Sequence, residues 1–313
     1  MSGLHPVVKR KEGMYFPAGN FYLDPQRAVQ HAIVTHAHAD HAVAGSAHVY
    51  CSRLTALLMQ LRYGKRAAGT FHIIEEQKDF FVNGIQCRFY ASGHIGGSMM
   101  VMIKWDDKKV LFTGDWNHSG CGHLTPCRFP KTDILITEAT FASPMMNHPP
   151  VEDEIKKISE TGTSVVAGAY RIGKAQRLSY LMSKYAPHIP VFIHRDIVPV
   201  HQLYEKNGIC TGKWQPYSKQ NFSKEKTALY IVPPQTLPDF YGSPHVATTF
   251  ITGWKKWHYR CNFITNISDH ADWNGLLQMV QQTNPSVVYT MHGSGKHFQT
   301  HFIASGIDVF EIL

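Results

Sequence analysis

Thr35-His36-Ala37-His38-Ala39-Asp40-His41 is the stretch on which the reading of this chain turns. It follows the apolar segment 32–35, so its ligand-type side chains sit on a loop at the end of a strand. Side chains alternate along an extended segment, which aims His36 and His38 the same way. Asp40 and His41 then begin a different direction, toward a second ion. That division of ligands suits a two-metal hydrolytic site. Further ligand types recur after strand-like segments: His94 in Ser92-Gly93-His94, Asp115 in Thr113-Gly114-Asp115, and His292 in Met291-His292-Gly293. Ligands supplied by the ends of different strands are how a rigid sheet presents a site. Asp115 has two carboxylate oxygens and can bridge both ions. Alone, His94 or His292 would read as a hydrogen-bonded structural histidine.

Composition bounds the rest. The chain has 313 residues, with 20 His, six Cys and a net charge of +8. That length suits one large domain or two ordinary ones. A hydrophobic content of 43% supports a sizeable core and excludes wholesale disorder. The cysteines, at 51, 87, 121, 127, 210 and 261, form no Cys-x-x-Cys pair, so reduced thiols in a cytosolic protein are the default reading. No apolar stretch of secretory-signal or membrane-spanning length is seen, and a cytoplasmic location without membrane association is expected.

The first half reads as short strands at 20–23, 32–35, 81–91, 99–104, 110–113 and 134–137, with a helix at 52–61. After Pro149-Pro150 the texture changes. Helices are expected at 151–160 and 174–185, strands at 164–169, 228–232 and 246–252, and a loop-like basic stretch at 211–226. The end reads as a helix at 273–282 and a strand at 287–291. Charge breaks at the same places. Residues 151–260 carry 15 basic and 8 acidic side chains, whereas residues 1–150 carry 15 and 11, and residues 261–313 carry 1 and 4. The middle block therefore holds most of the positive excess, the footprint of a phosphate-rich partner.

His36-x-His38-x-Asp40-His41, His94 in Gly-His-Ile-Gly-Gly-Ser and Asp115 in Thr-Gly-Asp together resemble the metallo-β-lactamase fold superfamily. Three further motifs narrow the likeness. Thr137-Glu138-Ala139-Thr140-Phe141 resembles the acidic motif that opens the β-CASP nuclease insertion. Ser268-Asp269-His270-Ala271-Asp272 resembles its histidine motif, and Thr290-Met291-His292-Gly293 its final one. Gly173-Lys174-Ala175-Gln176-Arg177 and the shortness of the inserted block are similar to the bacterial ligase-associated DNA exonucleases. The resemblance implies an α/β (α+β) fold: an αβ/βα four-layer sandwich with a small inserted β-CASP cap. The core would comprise residues 1–147 and 262–313, and the cap residues 148–261.

The resemblance also assigns roles. One ion takes His36, His38, His94 and Asp115; the other takes Asp40, His41, Asp115 and His292. Two zinc ions are implied, with manganese as an alternative because no thiolate is among the ligands. A water activated between them attacks a phosphodiester, so Asp40 also counts among the catalytic residues. His270 is the expected proton donor to the leaving oxygen, oriented by Glu138.

Nucleic-acid contacts are read from charge and rings. Gly168–Lys174 matches the start of a phosphate-binding loop, but Ala175 stands where Ser or Thr must hold Mg²⁺, which argues against a nucleotidase. The helix start after Gly173 instead offers backbone N–H groups that, with Lys174 and Arg177, could grip a substrate phosphate. Lys213-Trp214 and Lys255-Lys256-Trp257 interleave cations with rings, which suits single strands. The reading is a metal-dependent DNA exonuclease acting on single-stranded or frayed ends, in repair alongside a ligase and a helicase. An RNA-processing β-CASP ribonuclease is the alternative. A thioesterase-like small-molecule hydrolase is a more distant one, disfavoured by the charged middle block.

Overall fold

The computed structural model describes residues 5–254 and 260–312. The chain divides into two compact units, Met1–Asn147 with His270–Leu313, and His148–Asp269.

The first unit is built on two sheets. One contains β1 (Val8–Arg10), β2 (Gly13–Phe16), β3 (Phe21–Leu23), β4 (His31–Ile33), β5 (Ser46–Cys51) and β6 (Ala68–Ile73), paired in that order. The next strands, β7 (Asp79–Val82), β8 (Ile85–Ala91), β9 (Met99–Trp105), β10 (Lys108–Phe112) and β11 (Ile134–Glu138), belong to the other. The segment 81–91, expected as one strand, is a hairpin. Asn83 (φ 48°) and Gly84 (φ 85°) make its turn, because a two-residue hairpin loop of that type needs positive φ at both positions.

Alternation along these strands sets the layers. Val101 and Ile103 of β9 and Val110 and Phe112 of β10 share an apolar core with Phe16, Phe21, Leu23 and Ile33 of the first sheet, so the two sheets pack face to face. The intervening Met100, Met102 and Leu111 point to the opposite face. There they meet Leu276, Met279 and Val280 of one helix and Phe298 and Phe302 of another. The outer face of the first sheet, through Ala32, Val49 and Cys51, packs on Ala56 and Met59 of the helix α1 (Arg53–Tyr63). Helix, sheet, sheet, helix is the αβ/βα sandwich expected from the motifs.

The second unit holds α2 (Val151–Ser159), β12 (Ser164–Gly168), α3 (Lys174–Tyr185), β13 (Val191–Ile193), α4 (Val198–Lys206), β14 (Gln215–Pro216), α5 (Lys219–Phe222), β15 (Leu229–Val232), β16 (Val246–Thr252) and β17 (Phe263–Asn266). Its sheet has the order β14-β13-β15-β12-β16-β17, and every pair in it is parallel. Strands buried on both faces read as continuous apolar runs, as Ser164–Gly168 and Leu229–Val232 do. The chain returns to the first unit at His270 rather than at residue 262. The reason is β17, which pairs with β16 and completes the second unit's sheet. α6 (Trp273–Thr283), β18 (Val287–Met291), α7 (Lys296–Phe302) and β19 (Asp308–Glu311) then finish the first unit, giving its second sheet the order β19-β18-β11-β10-β9-β8-β7.

Among the described residues, no helix is long and apolar enough to cross a membrane. Ile103, with no exposed surface at the centre of the inter-sheet core, sets a test of this packing. Ile103→Ala should lower unfolding free energy by about 2–5 kcal/mol in urea denaturation. An unchanged midpoint would mean that the two sheets do not meet there.

Candidate metal centre

The ends of four other strands converge on the loop that follows β4. Backbone N–H groups of His41 and Ala42 donate to the carbonyl of His38, at 3.2 and 2.9 Å, and this turn redirects Asp40 and His41 away from His36 and His38. His94 follows β8, Asp115 follows β10, Glu138 ends β11 and His292 follows β18. Between β10 and Asp115, Gly114 adopts φ 53°, and a Cβ there would lie 2.5 Å from the Thr35 hydroxyl oxygen. The Thr-Gly-Asp sequence thus lets the two loops approach.

His36, His38, His94 and Asp115 each present one ligand atom, all within 4.8 Å of one another. His38 Nδ1 lies 3.2 Å from His36 Nε2 and 3.1 Å from His94 Nε2. Asp115 Oδ2 lies 3.6 Å from His36 Nε2, His94 Nε2 and His41 Nε2 alike. Four ligands bound tetrahedrally to zinc at ordinary bond lengths are about 3.3 Å apart. The donor set therefore fits one tetrahedral ion of the zinc class. His41 Nε2 is also 3.6 Å from Asp40 Oδ2, and the ring of the exposed His292 stands 5.2 Å from that of His41. Asp40 itself is largely exposed.

Asp24, which the sequence motifs do not single out, organises the centre. Its carboxylate is buried at the end of β3, and it accepts from the Thr35 N–H (2.7 Å) and the Thr35 hydroxyl (2.6 Å). A hydroxyl has one proton, so the Thr35 oxygen must accept from His36 Nδ1, 3.0 Å away. That fixes the tautomer and leaves the His36 Nε2 lone pair directed at the cluster. Asp24 Oδ2 also faces His41 Nδ1 at 2.8 Å, orienting the second imidazole in the same way.

Electrostatics agree with a cation site. Burial, reinforced by His41, His38 and His94, holds the His36 pKa well below its ordinary value, so His36 is neutral and free to ligate. Burial opposes charge on His41 as well, but Asp115, Asp24 and Asp40 outweigh it and raise its pKa to about 10. Burial would likewise raise the Asp115 pKa, yet His41, His270, His94 and His292 hold it below the usual carboxylate range. Beside this cluster, His270 Nδ1 lies 2.6 Å from Glu138 Oε2 and 3.9 Å from Asp115 Oδ2. Glu138 is itself held by the Trp116 N–H (2.9 Å) and the Thr140 hydroxyl (2.6 Å).

The expected phosphate grip on α3 is not what the structure shows. Lys174 and Arg177 are buried within the second unit. Lys174 Nζ pairs with Asp269 Oδ2 (2.9 Å) and donates to the Ile267 carbonyl (3.2 Å). Arg177 pairs with Asp269 Oδ1 (3.3 Å) and donates to the Ser268 carbonyl. The Gly173 N–H, also expected to face substrate, donates to Gln176 Oε1 at 2.8 Å. Both cations are thus anchors for the Ser-Asp-His motif, since charge in a buried position must find an opposite partner.

Trp214, expected to stack on bases, is half-buried. Its Nε1 donates to Glu205 Oε1 (2.7 Å), and its ring packs on His201. Lys213 is exposed, as a backbone-tracking cation must be. Lys255 and Trp257 lie outside the described residues.

Comparison with known proteins adds family context. The model of the Zn-dependent metallo-hydrolase RNA specificity domain matches residues 258–310. A probable DNA ligase of Opitutus terrae is 28% identical over 322 residues, covering 97% of this chain and 31% of that protein. An RNase J-like protein of Methanocaldococcus jannaschii is 28% identical over 225 residues, 61% of this chain and 53% of its own. Endoribonuclease ysh1 of Emericella nidulans is 33% identical over 145 residues, 44% of this chain and 16% of its own. The chain thus spans under a third of the first relative and about half of the second.

Two expectations follow from this geometry. Asp24→Ala should weaken metal binding roughly 10–100-fold in competition with a chromophoric chelator, because two ligand imidazoles lose their orienting partner. Equal affinity would remove Asp24 from the centre. Lys174→Met should cost about 3–5 kcal/mol of stability in chemical denaturation by leaving Asp269 under-compensated. A fully stable variant would show that its charge is not needed inside.

Proposed function

This chain belongs to the metallo-β-lactamase-fold β-CASP nuclease family, and from that premise we propose that it is a metal-dependent DNA exonuclease acting on single-stranded or frayed ends during repair. The observation that carries the hydrolytic reading is the four-donor cluster of His36, His38, His94 and Asp115 lying beside the Glu138–His270 pair. The preference for DNA rests on extent. Similarity to the Opitutus terrae ligase runs through 97% of this chain, against 61% and 44% for the two RNA-named relatives. The same likeness supports work alongside a ligase; a helicase is the further partner proposed.

In this reading His36, His38, His94 and Asp115 hold one zinc or manganese ion, and Asp40, His41 and His292 join Asp115 around a second. Bound metal supplies an acidified water as nucleophile and positive charge for the phosphoryl oxygens. The protein's own contribution is proton delivery and placement. Glu138 accepts from His270 Nδ1, which leaves His270 Nε2 to carry the proton to the leaving oxygen. Trp116 and Thr140 keep the Glu138 carboxylate turned toward His270. Asp115, held between imidazoles, stays ionised. The positive excess of residues 151–260, with Lys213 exposed, draws in a polyanion and gives binding a steep salt dependence.

An RNA reading is favoured by one finding, the match of residues 258–310 to a domain described by its RNA specificity. DNA and RNA strands of one sequence, labelled at either end, separate the two. The proposal expects progressive shortening of the DNA with RNA left largely intact; degradation confined to RNA would replace it with the ribonuclease reading. For proton delivery, His270→Ala should lose roughly 10²–10⁴-fold in turnover while its metal content stays that of the wild type. Full turnover in the metal-replete variant would reject that role.

A further inference from the structure

A second histidine cluster lies on the first sheet, apart from the residues assigned to hydrolysis. His31 of β4 and His48 of β5 are directly opposed in register, and His72 of β6 is opposed to Tyr50, two positions along β5 from His48. All three side chains are half-buried and lie on the same side of three neighbouring strands as Tyr50. His48 Nδ1 lies 3.1 Å from His72 Nε2. The His31 ring stacks on that of His48 at 5.0 Å between centroids, and Tyr50 stacks on His72 at 4.4 Å. His31 Nδ1 is buried and has no hydrogen-bond partner among the described residues.

We propose that His48 and His72 form an additional site for a divalent transition metal of the zinc, nickel or copper class, with His31 as the adjoining imidazole. The 3.1 Å between the two nitrogens matches the edge of a zinc coordination tetrahedron, about 3.3 Å. Imidazole nitrogens without thiolate select that group of metals. Burial, with His48 and His72 beside it, lowers the His31 pKa, and burial, with His48 beside it, lowers that of His72. Neutral imidazoles are the ligating form. Tyr50 fixes the plane of the His72 ring from the other side, and its own ring reaches the core through Phe80. A metal bound here would tie β5 to β6. The site stands on residues independent of the nuclease reading.

Untagged protein should be titrated with Zn²⁺ while the histidine nitrogens are followed by NMR. His48 Nδ1 and His72 Nε2 should shift together and saturate at one equivalent beyond those taken by the His36–Asp115 centre. Equilibrium dialysis should then find one zinc equivalent fewer in His48→Ala/His72→Ala, or in His48→Gln/His72→Gln if the alanine pair unfolds. His38→Ala, by contrast, should leave this equivalent in place. Unmoved His48 and His72 resonances through the titration, or equal zinc content in wild type and folded double variant, would overturn the site. Neither result depends on whether the protein cleaves nucleic acid.

Discussion

The structure depends on forcing donor atoms of like kind together. Three imidazole nitrogens and one carboxylate oxygen, from His36, His38, His94 and Asp115, all lie within 4.8 Å of one another. Without a cation or a proton such a cluster is unfavourable, so a rigid frame must impose it. The two face-to-face sheets provide that frame. Each of these donors sits three to five residues past a strand whose alternate side chains lock into the inter-sheet core or the flanking helices.

Asp24 shows how the frame is translated into chemistry. One buried carboxylate fixes His41 directly and His36 through the Thr35 hydroxyl, so two imidazoles are oriented by a single group. Glu138 does the same for His270, and Lys174 with Arg177 does it for Asp269, the residue before His270. The motif Ser268-Asp269-His270 therefore has each of its two ionisable side chains held by a separate partner set. Catalytic placement on this account is a matter of buried partners rather than of the ligands alone.

Much of this was legible in the sequence, for physical reasons. Ligands at strand ends announce themselves because apolar alternation stops where they begin, as at Val34-Thr35-His36 and at Phe112-Thr113-Gly114-Asp115. Asp24 was not legible. It is a single acid before a proline, and its importance comes from the parallel pairing of β3 with β4, which brings it to Thr35. Lys174 and Arg177 were misread because charge in a sequence is taken as exposed, whereas their burial is set by Asp269, more than 90 residues away. The hairpin within 81–91 and the assignment of β17 to the second unit's sheet likewise depend on pairing partners that local pattern does not specify. The His31, His48 and His72 group is visible only once β4, β5 and β6 are in register.

The central claim is that the His36, His38, His94 and Asp115 donors hold metal that the protein uses to hydrolyse nucleic-acid strands. Its most direct measurement is cleavage of end-labelled single-stranded DNA by one preparation, first stripped by chelator and then restored with Zn²⁺ or Mn²⁺. The account predicts no cleavage by the stripped protein and recovery on restoring metal, with His38→Ala failing to recover. Undiminished cleavage after complete metal removal, or no cleavage with either metal restored, would contradict it.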